Sequence, residues 1–115
     1  MRSRVRPTKS GHGTEGIAVR DGKTLPFTVA RGWNAPAGYY PEAFYIVDPT
    51  SGEVYYESPS EVRLIWGLPS ITDVDGEVAE PVELPVGTYQ VVFALGGIKG
   101  GEATIEVFEV DSRAA

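Results

Sequence analysis

The chain has no cysteine, and its 115 residues include a single histidine. Without cysteine there is no disulfide, no thiolate nucleophile and no sulfur ligand for a metal. His12 stands between Gly11 and Gly13, so neither a Ser-His or Cys-His dyad nor a His-based metal site assembles from this inventory. No apolar run approaches the roughly 18 residues of a membrane-spanning helix. Nor does an apolar segment follow Arg2, Arg4 and Arg6 in the manner of a secretory signal. Long helices are excluded as well, because 14 glycines and 9 prolines break the chain too often. The glycines do not make a phosphate cradle: Gly96-Gly97 and Gly100-Gly101 lack the following Lys-Ser/Thr and join two strands. Paired carboxylates suffice for glycoside hydrolysis, but with 16 acids some pair always sits at a suitable separation and carries no signal. The expectation is a non-enzymatic protein with no cofactor.

Basic charge is scarce everywhere but at the start. Residues 1–14 hold Arg2, Arg4, Arg6 and Lys9 with no acid, whereas residues 15–115 carry a net charge of −10. So acidic a body repels nucleic acid and anionic membrane. The basic segment has almost no apolar periodicity, and alone it cannot bury enough surface to offset the entropy of ordering. It reads as a flexible arm, residues 1–16, that docks on an acidic neighbouring surface through Arg2, Arg4, Arg6 and Lys9. Residues 17–111 form one domain and 112–115 a short tail; length and a hydrophobic content of 42% suit a single packed core.

The pattern within that domain is short strands. Ile17–Arg20, Asp21-Gly22 and Lys23 to Arg31 read as a hairpin, Asp-Gly being a favoured tight turn. Pro26 cannot donate to a ladder, so this second strand begins at, or forms, a sheet edge. Residues 32–41 read as a Gly/Pro loop rich in aromatics. Glu42 to Asp48 is apolar on both faces and therefore central. Glu53 to Glu57 follows a turn at 49–52, and one of Tyr55 and Tyr56 faces inward and the other outward. In the next strand Val62, Leu64 and Trp66 share a parity, which assigns Trp66 to the core. Residues 67–80 read as an irregular crossover, with a short strand at 82–84. The strand with the clearest pattern is introduced by Leu84-Pro85-Val86-Gly87. Pro85 presets a turn and Gly87 tolerates a positive φ, after which Tyr89, Val91, Phe93 and Leu95 fall on one face. After a connection over 96–101, the apolar parity of the last strand changes at Val107–Phe108, which predicts a bulge or bend there.

Two constellations bear on ligands. Asp73, Asp75 and Glu77 are hard oxygen donors suited to calcium, but the spacing lacks the distal glutamate of a calcium loop, and a solvated acidic loop accounts for them. Trp33, Tyr39 and Tyr40, clustered in the loop, suit a lid over the end of the sandwich, a protein contact or a stacking platform for sugars.

Leu84-x-x-Gly87-x-Tyr89 resembles the tyrosine corner of immunoglobulin-like and fibronectin-III-like sandwiches, with Leu84, Gly87, Tyr89 and Phe93 as its structural residues. The resemblance covers residues 17–111 and implies an all-β, antiparallel two-sheet sandwich of 7–8 strands with an extended N-terminal arm. The Cys-Trp-Cys spacing of true immunoglobulin domains is missing. The stretch from Phe44 to Tyr55 is similar to a strand-turn-strand of bacterial macroglobulin-like modules and of intracellular proteinase inhibitors of bacilli, and that resemblance alone implies a third reading, protease inhibition through an exposed loop. Such domains also recur as accessory proteins on phage virions, tied to the shell by an N-terminal arm. The expected function is a structural or interaction module docking onto a larger protein assembly, most concretely as a capsid decoration protein. Self-association is compatible with that role, and membrane and nucleic-acid partners are not expected. The alternative is a carbohydrate-binding module using Trp33, Tyr39 and Tyr40.

Overall fold

A computed structural model describes the backbone of residues 2–5, 9–10 and 14–110, and the side chains of residues 15–110. Every element among them is a strand: β1 Arg2–Val5, β2 Lys9–Ser10, β3 Thr14–Glu15, β4 Ile17–Arg20, β5 Lys23–Thr24, β6 Phe27–Asn34, β7 Gly38–Val47, β8 Val54–Glu57, β9 Glu61–Ile65, β10 Thr72–Val78, β11 Gly87–Leu95 and β12 Ile98–Glu109. The chain is all-β, with no helix among the described residues. These twelve strands exceed the seven or eight expected, because short pairings near the N-terminus and the 72–78 stretch add to the count.

The strands form two sheets. In the first, β6 is central, with β10 paired to it on one side and β1 and β2 in succession along the other. The second runs β5-β4-β12-β11-β7-β8, with β9 also paired to β7. Every described pair is antiparallel except β12 with β4, where Val107 lies opposite Ile17 and Glu109 opposite Val19. The second sheet is therefore mixed, while the described pairs of the first are all antiparallel.

The sequence explains the construction locally. Asp21 and Gly22 both take positive φ, 54° and 78°, which closes the tight β4–β5 hairpin. Pro26 does not start a sheet edge; it lies where the chain leaves one sheet and enters the other, and the strand after it is central. In β11, Tyr89, Val91, Phe93 and Leu95 are all buried, as their alternation requires. The Tyr89 hydroxyl donates to the Pro85 carbonyl at 2.6 Å, and Tyr55 packs edge-on against the Tyr89 ring at 5.3 Å. Leu84 is buried beneath this corner. Buried residues of both sheets, among them Phe27, Val29, Phe44, Ile46, Val91 and Phe93, make one apolar cluster.

The bulge is not at Val107–Phe108. The β11–β12 register shifts between Phe93 and Ala94, which face Gly101 and Lys99, so Gly100 is the extra residue. A Cβ on Gly100 would press into the Trp33 ring, 2.7 Å from Cη2, so the bulge forms where the backbone must approach that ring. Val107, near the change of apolar parity, is paired on both sides: it ends the ladder with β11, opposite Gly87, and begins the ladder with β4, opposite Ile17. The 96–101 connection is shorter than expected: Gly96-Gly97 alone turns the hairpin.

The N-terminal segment, set apart above as an arm, has backbone pairing of its own. Arg2 lies opposite Asn34 and Arg4 opposite Gly32 in the β1–β6 ladder, and Lys9 lies opposite Thr28. Arg6, His12 and the 112–115 tail lie outside the described residues.

Candidate interaction surface

The inward row of β6 is Phe27, Val29, Arg31 and Trp33, all buried. A guanidinium in such a row needs an anion, and β7 supplies it from its own inward row of Glu42, Phe44 and Ile46. Arg31 Nε donates to Glu42 Oε2 at 2.6 Å, and Arg31 Nη2 bonds to Oε1 of the same carboxylate. Trp33 Nε1 donates to Oε2 at 2.7 Å, and Arg31 Nη1 to the Val29 carbonyl at 2.9 Å. The guanidinium carbon lies 5.4 Å from the centre of the Phe44 ring. Gly76 of β10 leaves room for it, since a Cβ there would stand 3.0 Å from Arg31 Nη1. Burial alone would raise the Glu42 pKa. The hydrogen bonds from Arg31 and Trp33, with the charges of Arg31 and Arg63, outweigh burial and hold it below its ordinary value.

This network sets which way β9 faces. Opposite β7, Tyr40 pairs with Arg63 and Glu42 with Glu61. Arg63 turns inward, its Nε 3.4 Å from Glu42 Oε1 and its Nη2 2.9 Å from Glu61 Oε2. Ile65, of the same parity, is fully buried. Val62, Leu64 and Trp66 must then face out, opposite to the expected parity: attraction to Glu42 and the packing of Ile65 outweigh the greater apolar size of the other row. Trp66 is 70% exposed, Val62 69% and Leu64 42%.

Register brings β7 residues beside them. Tyr39 lies opposite Leu64 and Pro41 opposite Val62, and paired residues share a face. Tyr40 is held inward by a bond from its hydroxyl to the Pro36 carbonyl, 2.9 Å. Pro36-x-Gly38-x-Tyr40 thus repeats Pro85-x-Gly87-x-Tyr89, with the same hydroxyl-to-proline bond. Fixing Tyr40 inward sends Tyr39 outward, where it is 74% exposed. Tyr39, Pro41, Val62, Leu64 and Trp66 form an apolar strip on the outer face of two strands whose inner face is pinned by ions. Leu68, just beyond, is exposed too.

The aromatic trio expected in one loop is therefore not one exposed set. Residues 32–34 and 38–41 belong to strands, and Trp33 is fully buried as a donor to Glu42. Tyr40 is half-buried behind its own hydrogen bond, which leaves Tyr39 as the exposed member. The expected acidic loop is strand β10, where Asp73, Asp75 and Glu77 alternate with buried Thr72, Val74 and Val78. Their side chains are exposed, and no group of three His, Asp or Glu suited to a metal occurs among the described residues. Tyr55 and Tyr56 do not split into one buried and one exposed ring; both are half-buried. The Tyr56 ring packs tilted against Phe44, centroids 5.9 Å apart, and its hydroxyl donates to Glu80 at 3.1 Å. Burial and the Glu80 carboxylate push its hydroxyl up to about 12. The basic residues Arg2, Arg4 and Lys9 are described by backbone pairing only.

Sequence reasoning missed Arg31 and Glu42. The signal was present: each shares a parity with buried apolar neighbours, Arg31 with Phe27 and Val29, Glu42 with Phe44 and Ile46. Opposite charges on two inward rows mark a buried pair.

No family model matches this chain, and no curated protein matches it. Among solved structures it is similar to the alkylpurine DNA glycosylase AlkC of Pseudomonas fluorescens bound to DNA containing an abasic site analog. The identity is 15% and the TM-score 0.50, over 88% of this chain and 30% of that one. The chain thus spans about a third of that protein's length, and at this identity the likeness concerns the fold alone.

Proposed function

We propose that this chain is a non-enzymatic interaction module that docks onto a larger protein assembly, and that its fold is a variant of the immunoglobulin-like sandwich. The Tyr89 corner and the shared core of two sheets support the fold reading. The observation that carries the docking reading is the strip of Tyr39, Pro41, Val62, Leu64 and Trp66, apolar side chains that face outward opposite an inner face ion-paired around Glu42. Contiguous apolar surface of this kind, with aromatic anchors, fits a protein contact. The basic segment with Arg2, Arg4 and Lys9 supplies a second contact to acidic surface, and a virion shell with its repeated subunits is the concrete setting we propose. DNA, which AlkC binds in the solved complex, is not proposed here, because the body of this chain is strongly acidic. A sugar platform of Trp33, Tyr39 and Tyr40 is not favoured with Trp33 buried.

The test is cosedimentation with the native assembly. Leu64→Arg and Trp66→Ser should each remove binding while the circular dichroism spectrum stays that of the wild type. Deletion of residues 1–14 from the otherwise unaltered chain should also weaken binding, most at low ionic strength, where a contact between basic and acidic surfaces is least screened. Undiminished binding by both strip variants would refute the reading.

A further inference from the structure

We infer that the free edge of β9 is a self-association site, at which a second copy of this chain adds its own β9 antiparallel about a two-fold axis through Val62. This does not depend on the docking reading, since it concerns the strand's edge and not its face.

Among the described residues β9 has a ladder partner on one side, β7. The direction of its backbone groups follows from β7. Phe44 N–H donates to Ser58 Oγ and its carbonyl accepts from Ser58 N–H, so the even-numbered residues of β7 point toward β8 and β9. Pro41, of the odd set, has its carbonyl bonded to Gly96 N–H on the opposite side. The β9 residues opposite Gly38, Tyr40 and Glu42 are Ile65, Arg63 and Glu61, and these turn their backbone groups to β7. Val62 and Leu64 then direct N–H and C=O away from β7, at an edge where their side chains are exposed. Trp66, next in that series, has its N–H on Thr72 Oγ1 at 2.9 Å, which ends the free edge at Leu64.

Charge selects the register. A two-fold axis normal to the sheet keeps outward residues opposite outward residues, so the axis passes through a residue. An axis through Arg63 sets Arg63 against Arg63, and one through Glu61 sets Glu61 against Glu61; like charges directly opposite are unfavourable. An axis through Leu64 needs the Trp66 N–H that Thr72 already holds. Through Val62, Glu61 of each copy stands opposite Arg63 of the other, twice by symmetry, and Val62 exchanges backbone bonds with its own mate. Each Arg63, flanked by Glu42 and Glu61 of its own chain, gains a further carboxylate. The two outer strips then lie side by side, so one dimer presents a doubled apolar face to any larger surface.

The test is sedimentation velocity of the purified full chain over a concentration series reaching the millimolar range. The wild type should rise toward twice the monomer mass. Glu61→Arg and Arg63→Glu should each stay monomeric, while an equimolar mixture of the two should associate again, because each then offers the other an opposite charge at both positions. Val62→Pro removes an N–H that β7 does not use and should block association with the fold intact; it decides the matter should Arg63→Glu, close to Glu42, fail to fold. A wild type that stays monomeric, a Val62→Pro chain that associates as the wild type does, or folded charge variants that do not restore each other would overturn the inference.

Discussion

Glu42→Gln is the sharpest probe of the buried network. The substitution keeps the size of the side chain and its capacity to accept one hydrogen bond. It takes the carboxylate from Arg31, which is 2% exposed and directs Nε and Nη2 at it. Removing one partner of a buried ion pair leaves an uncompensated charge, at a cost of about 3–5 kcal/mol. That is a large fraction of the roughly 5–15 kcal/mol that holds a domain of this kind together. Urea unfolding at neutral pH, followed by far-ultraviolet circular dichroism, measures the difference. The pH dependence gives a second reading with a definite sign. A carboxylate whose pKa is lowered on folding contributes stability above its unfolded-state value and loses it as pH falls through the folded one. The gap between wild type and Glu42→Gln should therefore be full at neutral pH and close on acidification below 4.5, the ordinary value of the group. A gap under about 1 kcal/mol, the size of a single ordinary hydrogen bond, or one that does not narrow in acid, would refute the assignment.

Further substitutions test the packing around this network. Tyr89→Phe loses the bond to the Pro85 carbonyl and should cost about 0.5–1.5 kcal/mol, whereas Phe93→Ala empties a fully buried position and should cost about 3–5 kcal/mol; equal losses in urea titrations would contradict the inward face of β11. Gly100→Ala drives a methyl into the Trp33 ring and should cost about 1–3 kcal/mol, measured as a lowered melting temperature. Trp66→Ala should change stability by no more than about 0.5 kcal/mol, as expected of an exposed side chain. Acrylamide should quench the emission of a Trp33→Phe protein, which keeps Trp66, and barely touch that of a Trp66→Phe protein.

How far the sequence reveals this molecule depends on which force decided each element. Where apolar burial decides, alternation is sufficient: Tyr89, Val91, Phe93 and Leu95 are inward, as are Phe44 and Ile46, and the all-β class follows. Where charge decides, alternation misleads. β9 faces opposite to its apolar row because Arg63 seeks Glu42, a residue 21 positions earlier that pairing brings alongside it. Composition misleads in the same way at β10, where three acids and a glycine look like a loop although Thr72, Val74 and Val78 keep strict period two. Gly32 and Gly38 look like loop residues for the same reason, yet ladders with β1, β10 and β9 hold them extended. Composition and alternation together thus hide the strip. Gly/Pro composition assigns Trp33 to a loop and alternation assigns Trp66 to the core, whereas Glu42 holds Trp33 within a buried strand row and draws Arg63 inward, which turns Trp66 out.

The docking surface is tested most directly by oxidative footprinting of the chain, free in solution and in its native assembly. A contact through the β7–β9 strip requires Trp66 and Tyr39 to be oxidised readily in the free chain and protected in the assembly, with Trp33 unreactive in both. Equal oxidation of Trp66 and Tyr39 in the two states would contradict it.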